Sequence, residues 1–129
     1  DEQLLGRDLE QDIARWYRGS IQFIIELRPH SVIKDEAIPA LLRRQSQPTF
    51  VTINERDFWR RVAADRRYCI VCFPLPDSRV REIPRSLRLL LRRPEVQTKA
   101  QRMGKILRAT TEGILYYTVD HGQVKTIPL

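Results

Sequence analysis

Apolar positions along this chain change their period several times, and each change marks a new element. Leu5, Leu9, Ile13 and Trp16 recur at helical spacing, with Arg7, Asp8, Gln11 and Arg15 between them. They predict an amphipathic helix of about four turns that Gly19 ends. Ser20–Leu27 is β-branched and aromatic, which predicts a strand, and Pro29 closes it. A second helix carries Ile38, Leu41 and Leu42, with Asp35 as its cap and Pro39 tolerated in the first turn. Pro48 ends it, and Thr49–Ile53 forms the next strand.

The pattern repeats beyond that point. Asn54 or Asp57 can cap a third helix running through Trp59, Val62 and Ala63. Tyr68–Phe73 is apolar throughout and predicts a central strand, buried on both faces. The proline-rich loop at 74–82 leads to a fourth helix. It has Ile83, Leu87, Leu90 and Leu91 on one face, Arg85, Arg88 and Arg92 on the other, and Pro94 beyond its end. Val96, Ala100, Met103 and Leu107 form a fifth helical stripe. The tail reads as a β-hairpin, Gly113–Val119 and Gln123–Ile127 around Asp120-His121-Gly122.

Strands alternating with helices predict an α/β fold with a mostly parallel central sheet, covered on both faces, and the hairpin at an edge. At 129 residues the chain is expected to form one domain, 1–129. Asp1-Glu2 would close a first strand, which is expected upstream of residue 1 or is absent. No apolar run approaches the length of a membrane span, and no secretory signal is recognisable, which points to the cytoplasm.

Charge sharpens the picture. There are 23 Lys plus Arg against 16 Asp plus Glu, a net +7, and arginine dominates. Guanidinium groups bind phosphate bidentately and stack on bases, so an arginine-rich surface favours nucleic acid over a generic anion, with a solubilising charge excess as the equal alternative. Cys69 and Cys72 have C-x-x-C spacing, yet lie three apart on a strand and so face opposite ways. They are expected to be core cysteines of a reducing compartment rather than a disulfide or a zinc pair.

Against this basic background, acids recur where parallel strands would end. Asp1, Asp35 and Asp57 each stand near a predicted helix start, with Glu2, Glu36 and Glu55 beside or near them. Parallel strands bring their C-terminal ends to one edge, where open α/β sheets do their chemistry. Carboxylates gathered there repel one another unless a divalent cation joins them, and oxygen-only donors suit Mg²⁺ or Mn²⁺. Such ions activate water and stabilise charge growing on a phosphodiester. Each acid taken singly also serves as an ordinary helix cap.

Four segments, in order, carry a resemblance. D-E-Q-L-L at Asp1–Leu5 resembles a "DENLP" opening, and K-D-E-A-I at Lys34–Ile38 a "sDEeI" helix start. T-I-N-E-R-D-F at Thr52–Phe58 resembles "TrDkDF", and I-L-Y-Y-T-V-D-H-G-Q-V-K-T-I-P-L at Ile114–Leu129 a closing strand pair. Together they resemble the small PIN-like proteins of the toxin and ribonuclease type. The resemblance implies a three-layer α/β/α sandwich with an acidic metal cluster. It implies a Mg²⁺- or Mn²⁺-dependent ribonuclease, which in a toxin–antitoxin pair has an antitoxin as partner, and a homodimer. Asp1, Asp35 and Asp57 would be the metal ligands and catalytic acids, with Glu36 the alternative to Asp35. Asn54 stands where the family has the first acid of "TrDkDF"; an amide oxygen coordinates but carries no charge, and Glu55 stands next to it.

Arg43, Arg44, Arg56, Arg60 and Arg61 flank the proposed acidic edge in sequence and would steer a phosphate backbone towards it. Arg79, Arg81, Arg85, Arg88, Arg92 and Arg93 form a second basic tract, read either as a solvated helix face or as a surface for RNA or an acidic partner. Trp16, Phe58 and Trp59 are expected in the core. His30 and His121 have no nearby acid or nucleophile in sequence, and no nucleophile-elbow pattern is present. The alternative to a nuclease is a silent PIN-like module that binds nucleic acid or a protein through its arginines.

Overall fold

The apolar run at 68–73 becomes the strand around which the rest is arranged. A computed structural model describes residues 9–19 and 35–128, without the side chain of Asp35. Within that range the elements are α1 (Leu9–Ala14), α2 (Ile38–Arg43, after a 3-10 turn at Asp35–Ala37), β1 (Thr49–Thr52) and α3 (Glu55–Phe58). Then come β2 (Cys69–Cys72), a 3-10 segment (Asp77–Glu82), α4 (Ile83–Leu90), α5 (Lys99–Arg102), β3 (Lys105–Thr110), β4 (Gly113–Thr118) and β5 (Lys125–Ile127). The predicted strand at 20–27 and Leu5 of the first helix lie outside the described residues.

The five described strands form one sheet in the order β1-β2-β3-β4-β5. β2 is fully buried between β1 and β3 and parallel to both, with Thr52 opposite Cys72 and Cys72 opposite Arg108. β3–β4 and β4–β5 are antiparallel. The sheet is therefore mixed, two pairs parallel and two antiparallel, and the expected mostly parallel sheet holds only for β1–β3.

That difference has a local cause. The stripe ending at Leu107 is not one helix. Thr98 and Gln101 make a reciprocal capping box for α5, which stops after four residues. Gly104 then takes φ +86, a left-handed conformation that suits glycine, and donates its N–H to the Tyr68 carbonyl at 2.9 Å. Its geometry turns the chain into β3, and Leu107 enters the core as a strand residue. β3 pairs with β4 through a tight turn at 111–112, so the predicted C-terminal hairpin, which is present as β4–β5, joins the sheet through β3.

Alternation along β2 sorts the core. Cys69 and Val71 pack in one cluster with Leu9, Val80, Ile83, Leu87, Leu90 and Leu107. Ile70 and Cys72 pack in another with Ile38, Leu41, Leu42, Phe50, Phe58, Ile106 and Tyr117. Helical segments thus contribute to both clusters, as parallel pairing requires, because its crossovers must lie over the faces. The two cysteines fall in different clusters, as their spacing predicts, and both are free thiols.

Candidate functional site at the strand C-terminal edge

Where β1 ends, the chain makes a compact turn held by its own side chains. Thr52 is buried, and its Oγ1 accepts the Asn54 N–H at 2.9 Å. Asn54 caps α3: its Oδ1 accepts the Asp57 N–H at 3.2 Å, and its Nδ2 donates to Asp57 Oδ2 at 2.8 Å. Of the two caps the sequence allows, Asn54 is the one used. α3 is a single turn and does not continue through Ala63, because Trp59 is extended and Arg60 has φ 63. Trp59 and Val62 still pack on the core beside Phe58, and Trp16 packs against the opposite cluster.

Beside the cap lies an ion pair that joins distant parts of the chain. Arg108 of β3 donates from Nε to Glu55 Oε1, with side-chain exposures of 30% and 34%. Arg108 is in register with Cys72, the last residue of β2. Burial pushes the Cys72 thiol up to about 12, with Glu55 and Cys69 adding to the effect and Arg108 opposing it. A thiol so protonated is a poor nucleophile near neutrality.

The structure thus brings Asn54, Glu55, Asp57 and Arg108 to the C-terminal ends of β1 and β2. Asp1, Glu2 and the side chain of Asp35 lie outside the described residues. Glu36 is exposed in the turn before α2 and makes no hydrogen bond or ion pair among the described residues. No group of three or more His, Cys, Asp or Glu side chains gathers among the described residues. The donors present, the Asp57 carboxylate and the Asn54 amide oxygen, are of the hard oxygen type that Mg²⁺ and Mn²⁺ take.

The five flanking arginines divide. Arg56 is exposed on α3, between Glu55 and Asp57. Arg60 instead donates to the Gly122 carbonyl at 2.7 Å and lies over the Tyr117 ring at 5.3 Å. Gly122 belongs to the β4–β5 connection, which follows Thr118 and so lies at the end where Lys105 opens β3. Arg43 faces Asp65 and Tyr68, just before β2 begins. Both side chains serve the opposite edge of the parallel strands, because the chain must return there after each crossover. Arg44, which caps the C-terminus of α2, and Arg61 are exposed. His121 is exposed in the β4–β5 connection; His30 lies outside the described residues.

Two functional-looking arginines escaped the sequence pattern. Arg108 directly follows Leu107, the last position of the predicted helical stripe, and nothing local in sequence marks its pairing with Glu55. Arg102 is 3% exposed and donates to Thr49 Oγ1 at 3.0 Å and to the Val96 and Gln97 carbonyls, each at 3.1 Å. It ties α5 to the start of β1.

Comparison of the chain with protein-family models, curated proteins and solved structures finds no match. Among the described residues, no helix is long and apolar enough to cross a membrane.

Proposed function

We propose that this chain is a PIN-like, Mg²⁺- or Mn²⁺-dependent ribonuclease, with its site at the edge where β1 ends. One observation supports this reading above the rest. The Thr52–Asp57 turn, which resembles the family's "TrDkDF", stands at the C-terminal end of parallel strands with the Asp57 carboxylate exposed beside Asn54. Under this reading the fold is the three-layer PIN-like sandwich. Asp1, Asp35 and Asp57 hold the metal, and Asn54 or Glu36 assists. When bound, the ion would acidify water and neutralise charge on the scissile phosphate.

The chain's own residues supply the rest. Asn54 orients the Asp57 carboxylate through its Nδ2 hydrogen bond. Arg108 is a half-buried cation joined to that turn through Glu55, which holds its guanidinium in place. A guanidinium fixed there offers its remaining N–H groups to a phosphate oxygen as charge builds. Arg56 draws the backbone in from solvent. An antitoxin partner, a homodimer and a cytoplasmic location follow from the same reading.

A second reading is a silent PIN-like module that binds RNA or a protein without cutting it. It is favoured by Asn54 standing where the family has an acid, and by Glu55 being neutralised by Arg108. Calorimetric titration with Mn²⁺ separates the two. Binding that disappears in Asp57→Asn, with single-stranded RNA cleavage that stops in EDTA, supports the enzyme; intact protein that binds no Mn²⁺ rules it out.

A further inference from the structure

α4 turns its apolar side to the core through Ile83, Leu87 and Leu90. Its other side is arginine. Arg81, Arg85, Arg88 and Arg92 are all exposed and follow one another at intervals of four, three and four residues along the 3-10 segment, α4 and the turn after it. Within α4 that spacing puts Arg85 and Arg88 on one face, about 5–6 Å apart at Cβ, and Arg81 and Arg92 extend the row into the flanking 3-10 segment and turn. From Arg85 to Arg92 the row is about 10 Å long at helical rise. None of the four side chains makes an ion pair or hydrogen bond among the described residues.

The placement is not explained by the helix itself. α4 has no acid in its first turn, where Arg85 stands, and Arg81 lies just before it. Cations at a helix N-terminus oppose the macrodipole and cost stability. Nor do neighbouring acids neutralise the row. The segment 77–93 has six arginines against two acids, Asp77 and Glu82. Glu82 is already bound by Arg79 at 2.6 and 2.9 Å.

We propose that this row binds the sugar–phosphate backbone of a single RNA strand. Its regular spacing and uniform charge match a flexible chain of phosphates, each of which a guanidinium can hold by two hydrogen bonds. A folded protein partner fits less well. Protein interfaces bury an apolar centre depleted of charge, and Leu89, at 55% exposed, is the single exposed large hydrophobic residue of this face. The 3-10 segment follows β2 after only the linker at 73–76, so the row starts near the strand C-terminal edge and runs away from it. The choice of RNA rests on the function proposed above, but binding to this face does not require cleavage.

The test is fluorescence anisotropy with a labelled oligouridylate in EDTA, across a series of salt concentrations. Arg85→Gln/Arg88→Gln/Arg92→Gln removes three charges, and the slope of log affinity against log salt should fall by about 2, with affinity about 100-fold weaker at 0.1 M salt. Arg66→Gln/Lys99→Gln/Lys125→Gln removes equal charge elsewhere and should change binding less than threefold. The triple Lys variant of the α4 row should keep the salt slope. Equal losses in both Gln triples, an unchanged slope in the first, or displacement of RNA by oligoglutamate at equal charge would overturn the proposal. Because metal is absent throughout, a failure of catalysis leaves this result intact, and Mn²⁺ titration reports on the catalytic reading separately.

Discussion

Asn54 and Asp57 hold each other: the amide oxygen of Asn54 accepts the Asp57 backbone N–H at 3.2 Å, while its amide nitrogen donates to the Asp57 carboxylate at 2.8 Å. One residue therefore caps α3 and aims the acid that opens the candidate site. An aspartate at position 54 would keep the cap but lose the donor, and would set two like charges side by side. That substitution separates structure from chemistry. Asn54→Ala should cost about 1 kcal/mol by urea unfolding, the usual cost of an N-cap. Asn54→Asp should restore most of that stability and tighten Mn²⁺ binding. Weaker Mn²⁺ binding in Asn54→Asp would argue against a metal at this turn.

The Glu55–Arg108 pair is about one-third exposed on both sides, so solvent screens it. A double-mutant cycle with Glu55→Gln and Arg108→Gln should give a coupling of about 1 kcal/mol at low salt, and less at 1 M NaCl. Arg108→Gln should also lower RNA cleavage at least tenfold while leaving Mn²⁺ binding intact. Equal loss of metal binding and cleavage would make Arg108 a structural residue only.

Arg102 gives the largest expected stability effect. Its charge is buried among Thr49 Oγ1 and two carbonyls. Arg102→Ala leaves those acceptors unpaired and should cost about 3 kcal/mol. Arg102→Lys keeps the charge but not the planar fork, and should recover only part of the loss. An urea midpoint unchanged in Arg102→Ala would show that water replaces the guanidinium without penalty.

Alkaline pH should weaken the fold. Burial pushes both Cys69 and Cys72 from an ordinary 9.0 up to about 12, and Tyr117 from 10.0 to about 12. Tyr117 also donates its hydroxyl proton to the Val62 carbonyl at 2.5 Å, which favours the neutral phenol. Above the ordinary values the unfolded chain loses these protons first, so it binds fewer than the folded chain. Stability is full below about pH 9 and declines as pH rises towards 12. Urea midpoints measured from pH 7.5 to 10.5 should fall through the upper half of that range. At pH 8, neither thiol should react with a disulfide reagent until the protein unfolds; rapid labelling of native protein would contradict the burial.

Local patterns carried much of the fold. The unbroken apolar run at 68–73 determined a strand buried on both faces, and the three-residue step from Cys69 to Cys72 put the thiols in different clusters. The alternation of Ile83, Leu87 and Leu90 with Arg85 and Arg88 determined both faces of α4. Asn54 and the Asp120-His121-Gly122 turn were legible as a cap and a hairpin. Each of these rests on neighbours a few residues apart, which share a face or a turn whatever the rest of the chain does.

Tertiary structure decided what depends on distant segments meeting. Val96, Ala100, Met103 and Leu107 fit a helical stripe, but the Gly104 turn and pairing with β2 and β4 made Leu107 a strand residue, since a short apolar stretch supports either period. Arg43 and Arg60 stand near the acids in sequence, yet the return of the chain after each crossover carried them to the opposite edge. Arg108 came to Glu55 across 53 residues, a separation at which no local pattern records the contact. By itself the sequence determined the apolar core strand and the pair of residues, Asn54 and Asp57, from which the cap after β1 is drawn. Only the packing of β1, β2 and β3 decided which cation stands beside that turn, because strand register is settled by partners the local chain does not contain.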